Sequence, residues 1–132
     1  MAKKLAHISE DHSREQTVYE HLTGTAELAK QFAAAFGAEE DGYLLGLLHD
    51  IGKYSPNGQR RQRDPEHTAK VDHSTAGAKA AADLDDMPAA FAIAGHHGGL
   101  PDLGTRLSLD DGTLCARLNK ADRRRRSLRV AQ

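Results

Sequence analysis

The sequence predicts an all-α domain, and three observations support this. Apolar residues recur at helical spacing, Gly and Pro separate those segments, and no strand pattern or internal repeat stands out. At 132 residues the chain is long enough for one hydrophobic core and too short for two. We therefore expect a single domain over residues 1–132, built as a bundle of about five helices.

The first helix is predicted to begin after Thr17 and to run to about Phe36. Thr17 and Glu20 have the spacing of a capping box, in which each side chain binds the other residue's backbone N–H. Gly37 is a typical residue for the position just after a helix. Five apolar residues fall on one face at helical spacing: Val18, Leu22, Ala29, Phe32 and Phe36.

The second helix is predicted from about Glu40 to Ile51, with Gly52 as its stop. Gly46 lacks a side chain and would let a neighbouring helix come close. The inward face is expected to carry Leu44, Leu47, Leu48 and Ile51. Residues 54–70 are polar, basic and rich in Pro and Gly, which predicts a loop.

Three further helices complete the predicted bundle. The third runs from near Asp72 to Leu84. The fourth is short, has Pro88 in its first turn and ends at Gly95. The last runs from about residue 111 to residue 125, and residues 123–132 form a basic tail.

Composition narrows the class of protein without naming a substrate. The net charge is −1, so charge alone indicates neither a nucleic acid nor a membrane as partner. No window approaches the roughly 18 to 20 apolar residues of a membrane span, and the N-terminus lacks the apolar run of a signal peptide. The single cysteine, Cys115, cannot form an internal disulfide, so we expect a cytoplasmic protein.

The eight histidines are the unusual feature of the chain. His21, His49, His73 and His96 are separated by 28, 24 and 23 positions, about one per helix. Asp50 follows His49 in a largely apolar segment, and a buried carboxylate costs several kcal/mol unless it meets a cation. Because packed helices can bring such side chains into one pocket, the spacing predicts a metal site between helices.

The predicted ligand set indicates the kind of ion. Imidazole is a softer donor than oxygen, which favours one or two divalent transition metal ions, with Mn, Fe, Co and Ni ahead of Zn and Mg. Five histidines and an aspartate exceed the needs of one tetrahedral ion and suit two ions sharing the carboxylate. Two ions about 3.5–4 Å apart are the usual device for displacement at phosphorus. Simpler alternatives stay open: His7, His12 and His67 are expected to be packed or capping residues, and His96 with His97 could form only a polar turn.

Four motifs in order resemble a known family: EHL, LLHDIGK, DHSTAG and AIAGHHGGLPD. They look like the HD phosphohydrolase superfamily, and most of all like the HD nuclease domain of the CRISPR-associated helicase–nuclease of type I systems. The resemblance covers about residues 5–120. It implies an HD-type helical bundle that cleaves single-stranded DNA with the help of metal ions. It also implies a helicase and a CRISPR surveillance complex as partners. Since no GxxxxGK[ST] loop is present in these residues, the helicase is expected to be supplied separately, by a partner polypeptide or by a remaining part of the chain.

Two alternatives keep the resemblance but change the activity. One is an HD-type phosphohydrolase of small nucleotides, and the other is a non-catalytic, metal-bound docking module.

The resemblance also assigns roles to residues. It makes Asp50 and Lys53 catalytic, with Asp50 bridging two ions and Lys53 meeting the scissile phosphate or the leaving oxygen. A solvated lysine beside a helix C-terminus is the simpler alternative for Lys53. The implied metal ligands are His21, His49, Asp50, His73, His96 and His97.

Superfamily members also carry a last aspartate on a later helix. Asp122 is the well-placed candidate here, unless the chain is truncated at its C-terminus. Basic residues suggest contacts to the phosphate backbone, which we expect from Arg60, Arg61 and Arg63. For the terminal run, Arg123 to Arg126 with Arg129, we expect a solvated tail.

Overall fold

The structure, a computed structural model, describes residues 2–107 and 110–130, with side chains described as far as Arg123. Within these residues it contains six α-helices and one antiparallel pair of short strands, so the predicted helical class is confirmed. The elements in chain order are β1 (Leu5–Ile8), β2 (Glu15–Thr17), α1 (Val18–Ala33), α2 (Glu39–Leu48), α3 (Pro56–Arg63), α4 (Ser74–Asp83), α5 (Met87–Gly95) and α6 (Leu114–Val130).

The hairpin β1–β2 corrects the expectation that the chain has no strands. Leu5 pairs with Thr17, and the register shifts between Leu5 and His7. Strands of four and three residues are too short to show an alternating pattern in the sequence. Ala6 in β1 is fully buried and packs with Val18 and Leu22, so the hairpin covers the start of α1.

Helix α1 begins and ends as predicted, but its buried face is shifted. The capping box between Thr17 and Glu20 is present, and Gly37 has a φ of +69° after the 3-10 turn that extends the helix. Phe32 and Phe36, predicted to face inward, are 73% and 75% exposed. Val18 and Leu22 are buried as predicted, and the buried line continues through the small residues that meet α2, Ala26 and Ala33.

The crossing of α1 and α2 explains this shift. A Cβ at Gly42 would lie 2.6 Å from the carbonyl oxygen of Ala29, and a Cβ at Gly46 would collide with the backbone of Ala26. The two backbones therefore approach too closely for aromatic side chains, and an alanine stripe fills the contact. The predicted role of Gly46 in close packing is confirmed.

The segment after α2 departs from the prediction in two ways. Helix α2 ends at Leu48, and a 3-10 turn over Ile51–Tyr54 follows, so Gly52 does not stop the helix. A Cβ at Gly52 would collide with the backbone of His73, which makes Gly52 a close-approach position. The predicted loop over residues 54–70 contains helix α3. Ser55 caps it by accepting a hydrogen bond from the Gly58 amide, and a proline occupies its first turn.

The main core lies between α4, α5 and the start of α6, and it consists mostly of alanine. Its buried members are Ala78, Ala81, Ala89, Ala90, Ile93, Ala94 and Leu114. Pro88 stands in the first turn of α5, which ends at Gly95 as predicted. This packing sets the start of α4 beside the end of α5. Among the described helices, none is long and apolar enough to span a bilayer.

Candidate metal centre

The six residues predicted as ligands meet at one end of the bundle. His21 lies on α1, His49 caps the C-terminus of α2, and Asp50 follows it. His73 stands at the N-cap of α4, and His96 caps α5, with His97 next in the chain. Helix termini rather than helix centres therefore present most of these side chains.

The first group of ligands surrounds one oxygen of Asp50. The Oδ2 atom lies 3.0 Å from Nε2 of His21 and 3.5 Å from Nε2 of His49. The two imidazole nitrogens are 3.1 Å apart. We call His21, His49 and Asp50 the first cluster.

The second group surrounds the other oxygen of the same carboxylate. The Oδ1 atom of Asp50 lies 3.1 Å from Nε2 of His73, 3.1 Å from that of His96 and 4.0 Å from that of His97. The Nε2 atoms of His73 and His97 are 2.7 Å apart. Asp50, His73, His96 and His97 form the second cluster, and Asp50 belongs to both clusters.

Backbone carbonyls set the orientation of three of the rings. The Nδ1–H groups of His49, His73 and His96 donate to carbonyl oxygens at 2.7, 3.2 and 2.7 Å. The acceptors are, in that order, Gly46, Val71 and Ile93. Because a carbonyl can only accept, these contacts keep a proton on Nδ1 of each ring and leave the lone pair of Nε2, on the side of Asp50, available to a metal ion or to a proton.

These lone pairs fit divalent transition metal ions. Within each cluster the ligand atoms lie within 4.8 Å of one another. Imidazole lone pairs and carboxylate oxygens packed at these distances repel one another unless protons or cations lie among them. Nitrogen-rich sites with one carboxylate suit Mn, Fe, Co, Ni or Zn. The two clusters can therefore hold one or two such ions, with Asp50 as the shared ligand, and the ligand roles of the individual residues stay predictions.

A comparison of the sequence with models of known protein families identifies the family of this chain. The HD domain family model matches residues 18–130. The chain belongs to the HD domain family. HD domains are generally metal-dependent hydrolases, which agrees with the pair of clusters. No curated protein matches this chain.

Lys53 is buried in the centre of this HD domain. It is 6% exposed, and its Nζ lies 2.8 Å from Oδ2 of Asp50. The alternative of a solvated lysine is therefore wrong. Its amino group instead pairs with the shared carboxylate.

His7 is the residue of this site that sequence reasoning missed. Its ring packs edge-on against His21 at a centroid distance of 4.8 Å, and its Nε2 lies 3.4 Å from Nζ of Lys53. Strand β1 brings it there, whereas a packed or capping role away from the site was expected. Nothing in this polar N-terminal segment indicated a strand.

Burial, hydrogen bonds and ion pairs shift the pKa values of Asp50 and of several histidines around it. Burial alone would raise the pKa of Asp50, but hydrogen bonds from His73 and Lys53 outweigh it and hold that pKa well below its usual range. The hydrogen bond with Asp50 raises the pKa of His73, while burial lowers the pKa values of His21 and His97. A charged carboxylate and neutral imidazoles are the forms that bind metal.

Asp122 does not supply a further carboxylate to the clusters. Its Oδ1 lies 3.1 Å from Nζ of Lys79, which also pairs with Asp83. Neither cluster includes Asp122. The expected role of this residue as a metal ligand is therefore not supported, because α6 directs the side chain to a lysine of α4.

Two of the three arginines predicted to contact phosphate bind backbone carbonyls of the protein. Arg61 donates to the carbonyls of Pro65 and Thr68 and so folds the segment after α3. Arg63 donates to the carbonyl of Lys3 at 2.8 Å. Arg60 is exposed. In the terminal run, Arg123 is exposed, and the side chains of Arg124, Arg125, Arg126 and Arg129 lie outside the described part of the chain.

An open cavity of about 480 Å³ adjoins the second cluster. His73 and His97 form part of its wall, and Lys53, Arg61 and Lys70 give it a cationic lining. Asp72 adds one carboxylate to the same wall.

Proposed function

We propose that this HD domain is a metal-dependent nuclease that hydrolyses phosphodiester bonds of single-stranded DNA. As partners we propose a separately supplied helicase and a CRISPR surveillance complex, on the resemblance of the four motifs. The observation that carries the proposal is the division of one carboxylate between two histidine clusters. Asp50 offers Oδ2 to the first cluster and Oδ1 to the second, which is the arrangement needed to share two cations.

The residues of the chain have distinct parts in this reaction. Bound divalent ions supply Lewis-acid stabilisation of the charge that develops at phosphorus. The first and second clusters would hold those ions, and the backbone carbonyls keep the rings aligned before substrate arrives. Lys53 balances the charge of Asp50 from 2.8 Å and borders the cavity, so it can meet a phosphate oxygen there.

The cavity lining supports a polyanionic substrate. Three cationic side chains, Lys53, Arg61 and Lys70, line it, and such residues contact phosphates without reading sequence. Only 5% of the residues are aromatic and none is Trp. Stacking of bases is therefore a minor part of recognition, and contact with the backbone of a flexible single strand is the favoured mode.

Cleavage assays test this proposal directly. Single-stranded DNA incubated with the protein and Mn²⁺, Co²⁺ or Ni²⁺ should be shortened, and EDTA should prevent it. His49→Ala and Asp50→Ala should abolish cleavage because each removes a ligand. His67→Ala is the matched control, since that ring is 78% exposed and pairs only with Asp64 among the described residues. Undiminished cleavage by both ligand variants would refute the assignment.

One observation favours a second candidate, a phosphohydrolase of small nucleotides. A volume of about 480 Å³ lies in the range of small-molecule sites, roughly 300–1,000 Å³. Product analysis separates the two activities: free phosphate or nucleoside from nucleotides, against shortened strands from DNA. Bound metal without turnover of either substrate would indicate the non-catalytic docking module.

A further inference from the structure

Arg117 on α6 makes an unusually complete set of polar contacts. Its Nε donates to Oγ1 of Thr75 at 2.9 Å, and Nη1 donates to the carbonyl of Ala94 at 2.8 Å. Its Nη2 donates to Oγ of Ser74 at 2.7 Å and lies 3.5 Å from Oδ1 of Asp72. All three nitrogens of the guanidinium are thus engaged.

The partners of Arg117 share one property: they flank the ligands of the second cluster. Asp72 and Ser74 are the neighbours of His73 in sequence, and Thr75 follows in the first turn of α4. Ala94 lies two residues before His96, at the end of α5. None of these described contacts reaches α1 or α2, which carry the histidines of the first cluster.

The contacts are of a kind that fixes geometry. The Arg117 side chain is 19% exposed, and hydrogen bonds from a charged donor are stronger than neutral ones. The carbonyl of Ala94 is among the last of α5, which have no partner within their own helix. A planar guanidinium group has N–H donors that point in several fixed directions. It can therefore bind two segments of the chain at a fixed distance from each other, which a lysine cannot do.

We propose that Arg117 is a positioning residue for the second cluster. It holds the first turn of α4, directly after His73, against the end of α5 and so sets the distance between the His73 ring and the rings of His96 and His97. By doing so it determines the affinity of the second cluster for a divalent ion, without touching that ion. This inference rests on the proposed metal-dependent function, and it gives α6 a role in the site that Asp122 does not supply.

Proteins with one cluster intact allow a selective test. His21→Ala leaves the second cluster, and His73→Ala disables it while leaving the first. In each background, Arg117→Lys and Arg117→Gln are compared with unmodified Arg117 by calorimetric titration with Mn²⁺. Where only the second cluster remains, we expect affinity to fall about tenfold, as for other residues that orient ligands. Where only the first remains, the change should stay within about twofold, because none of the described contacts of Arg117 reaches a residue of the first cluster.

The control is Arg123→Ala, which removes an exposed arginine from the same helix and should leave both affinities unchanged. Unchanged affinity of the second cluster in both Arg117 variants would overturn the inference. Equal weakening of both clusters, or loss of the folded circular dichroism spectrum in both variants, would also overturn it, since Arg117 would then support the whole fold. If the unmodified protein bound no Mn²⁺, the proposed function itself would fail and this inference with it.

Discussion

Replacing Gln59 with alanine tests how the N-terminal hairpin is held against the site. Gln59 on α3 is 4% exposed. Its Oε1 accepts a hydrogen bond from the Leu5 amide at 2.8 Å, and its Nε2 donates to the carbonyls of Leu5 and Lys53 at 2.9 and 2.8 Å. One side-chain amide therefore joins the strand that carries His7 to the turn that carries Lys53.

The cost of the substitution follows from these three buried bonds, because the fourth bond of the side chain, which Oε1 accepts from Nη1 of Arg63 at 3.3 Å, is longer and only partly buried. A buried hydrogen bond contributes about 1 kcal/mol net, so losing three should lower the free energy of unfolding by about 3 kcal/mol. Water cannot easily replace the lost partners, since the Leu5 amide and carbonyl lie in a residue only 4% exposed. For a domain of this size we expect the melting temperature to fall by about 10 °C.

Urea unfolding followed by circular dichroism measures this loss. The matched control is Gln62→Ala, on the same helix, where the side chain makes no hydrogen bond among the described residues and the cost should be small. If the free energy of unfolding of Gln59→Ala lies within about 1 kcal/mol of that of Gln62→Ala, other contacts hold the hairpin and the reasoning is refuted.

Three further predictions concern the metal centre. Lys53→Met should lower the free energy of unfolding by about 3 kcal/mol in EDTA, because Asp50 loses its nearest cation. With excess Mn²⁺ the substitution should lower the free energy of unfolding by less. An equal loss in EDTA and in Mn²⁺, measured by chemical denaturation, would contradict this prediction. The affinity of the second cluster for Mn²⁺ should keep rising above pH 6.5, the ordinary pKa of histidine, because Asp50 raises the pKa of His73 and a protonated ring cannot bind metal. Burial lowers the pKa of His21, so protons should compete with Mn²⁺ at His21 only at lower pH than at His73, and the affinity of the first cluster should depend less on pH in calorimetry. Gly52→Ala should weaken Mn²⁺ binding to the second cluster, since a Cβ there would displace the His73 backbone; an unchanged titration would contradict it.

The helices were predictable where local chemistry determines them. The capping box at Thr17, the left-handed Gly37 and the proline in the first turn of α5 act over a few residues, and all three are present. The prediction that Phe32 and Phe36 face inward was wrong. Helical periodicity shows which residues share one face of a helix, but it does not show which face packs against a neighbouring helix. Which stripe of α1 is buried depends on the glycines of α2, which are distant in sequence.

The types of residue that form the site could be predicted from the sequence, but the positions of their side chains in space could not. Motif spacing pointed to six residues that the structure brings together around Asp50. The same reasoning placed His7 outside the site and expected Asp122 inside it. A short strand and a salt bridge to Lys79 decide those two positions, and carbonyl acceptors hold Arg61 in the wall of the cavity. None of these interactions leaves a periodic signal in the sequence.

By itself, then, the sequence determined the helical class, most helix ends and the chemical identity of the candidate ligands, because caps, periodicity and side-chain type are local properties. Only the tertiary structure decided how those ligands divide between the two oxygens of Asp50, why Lys53 is buried and how Arg117 spans two segments. These depend on distances between residues that are remote in sequence, and such distances exist only once the helices have packed.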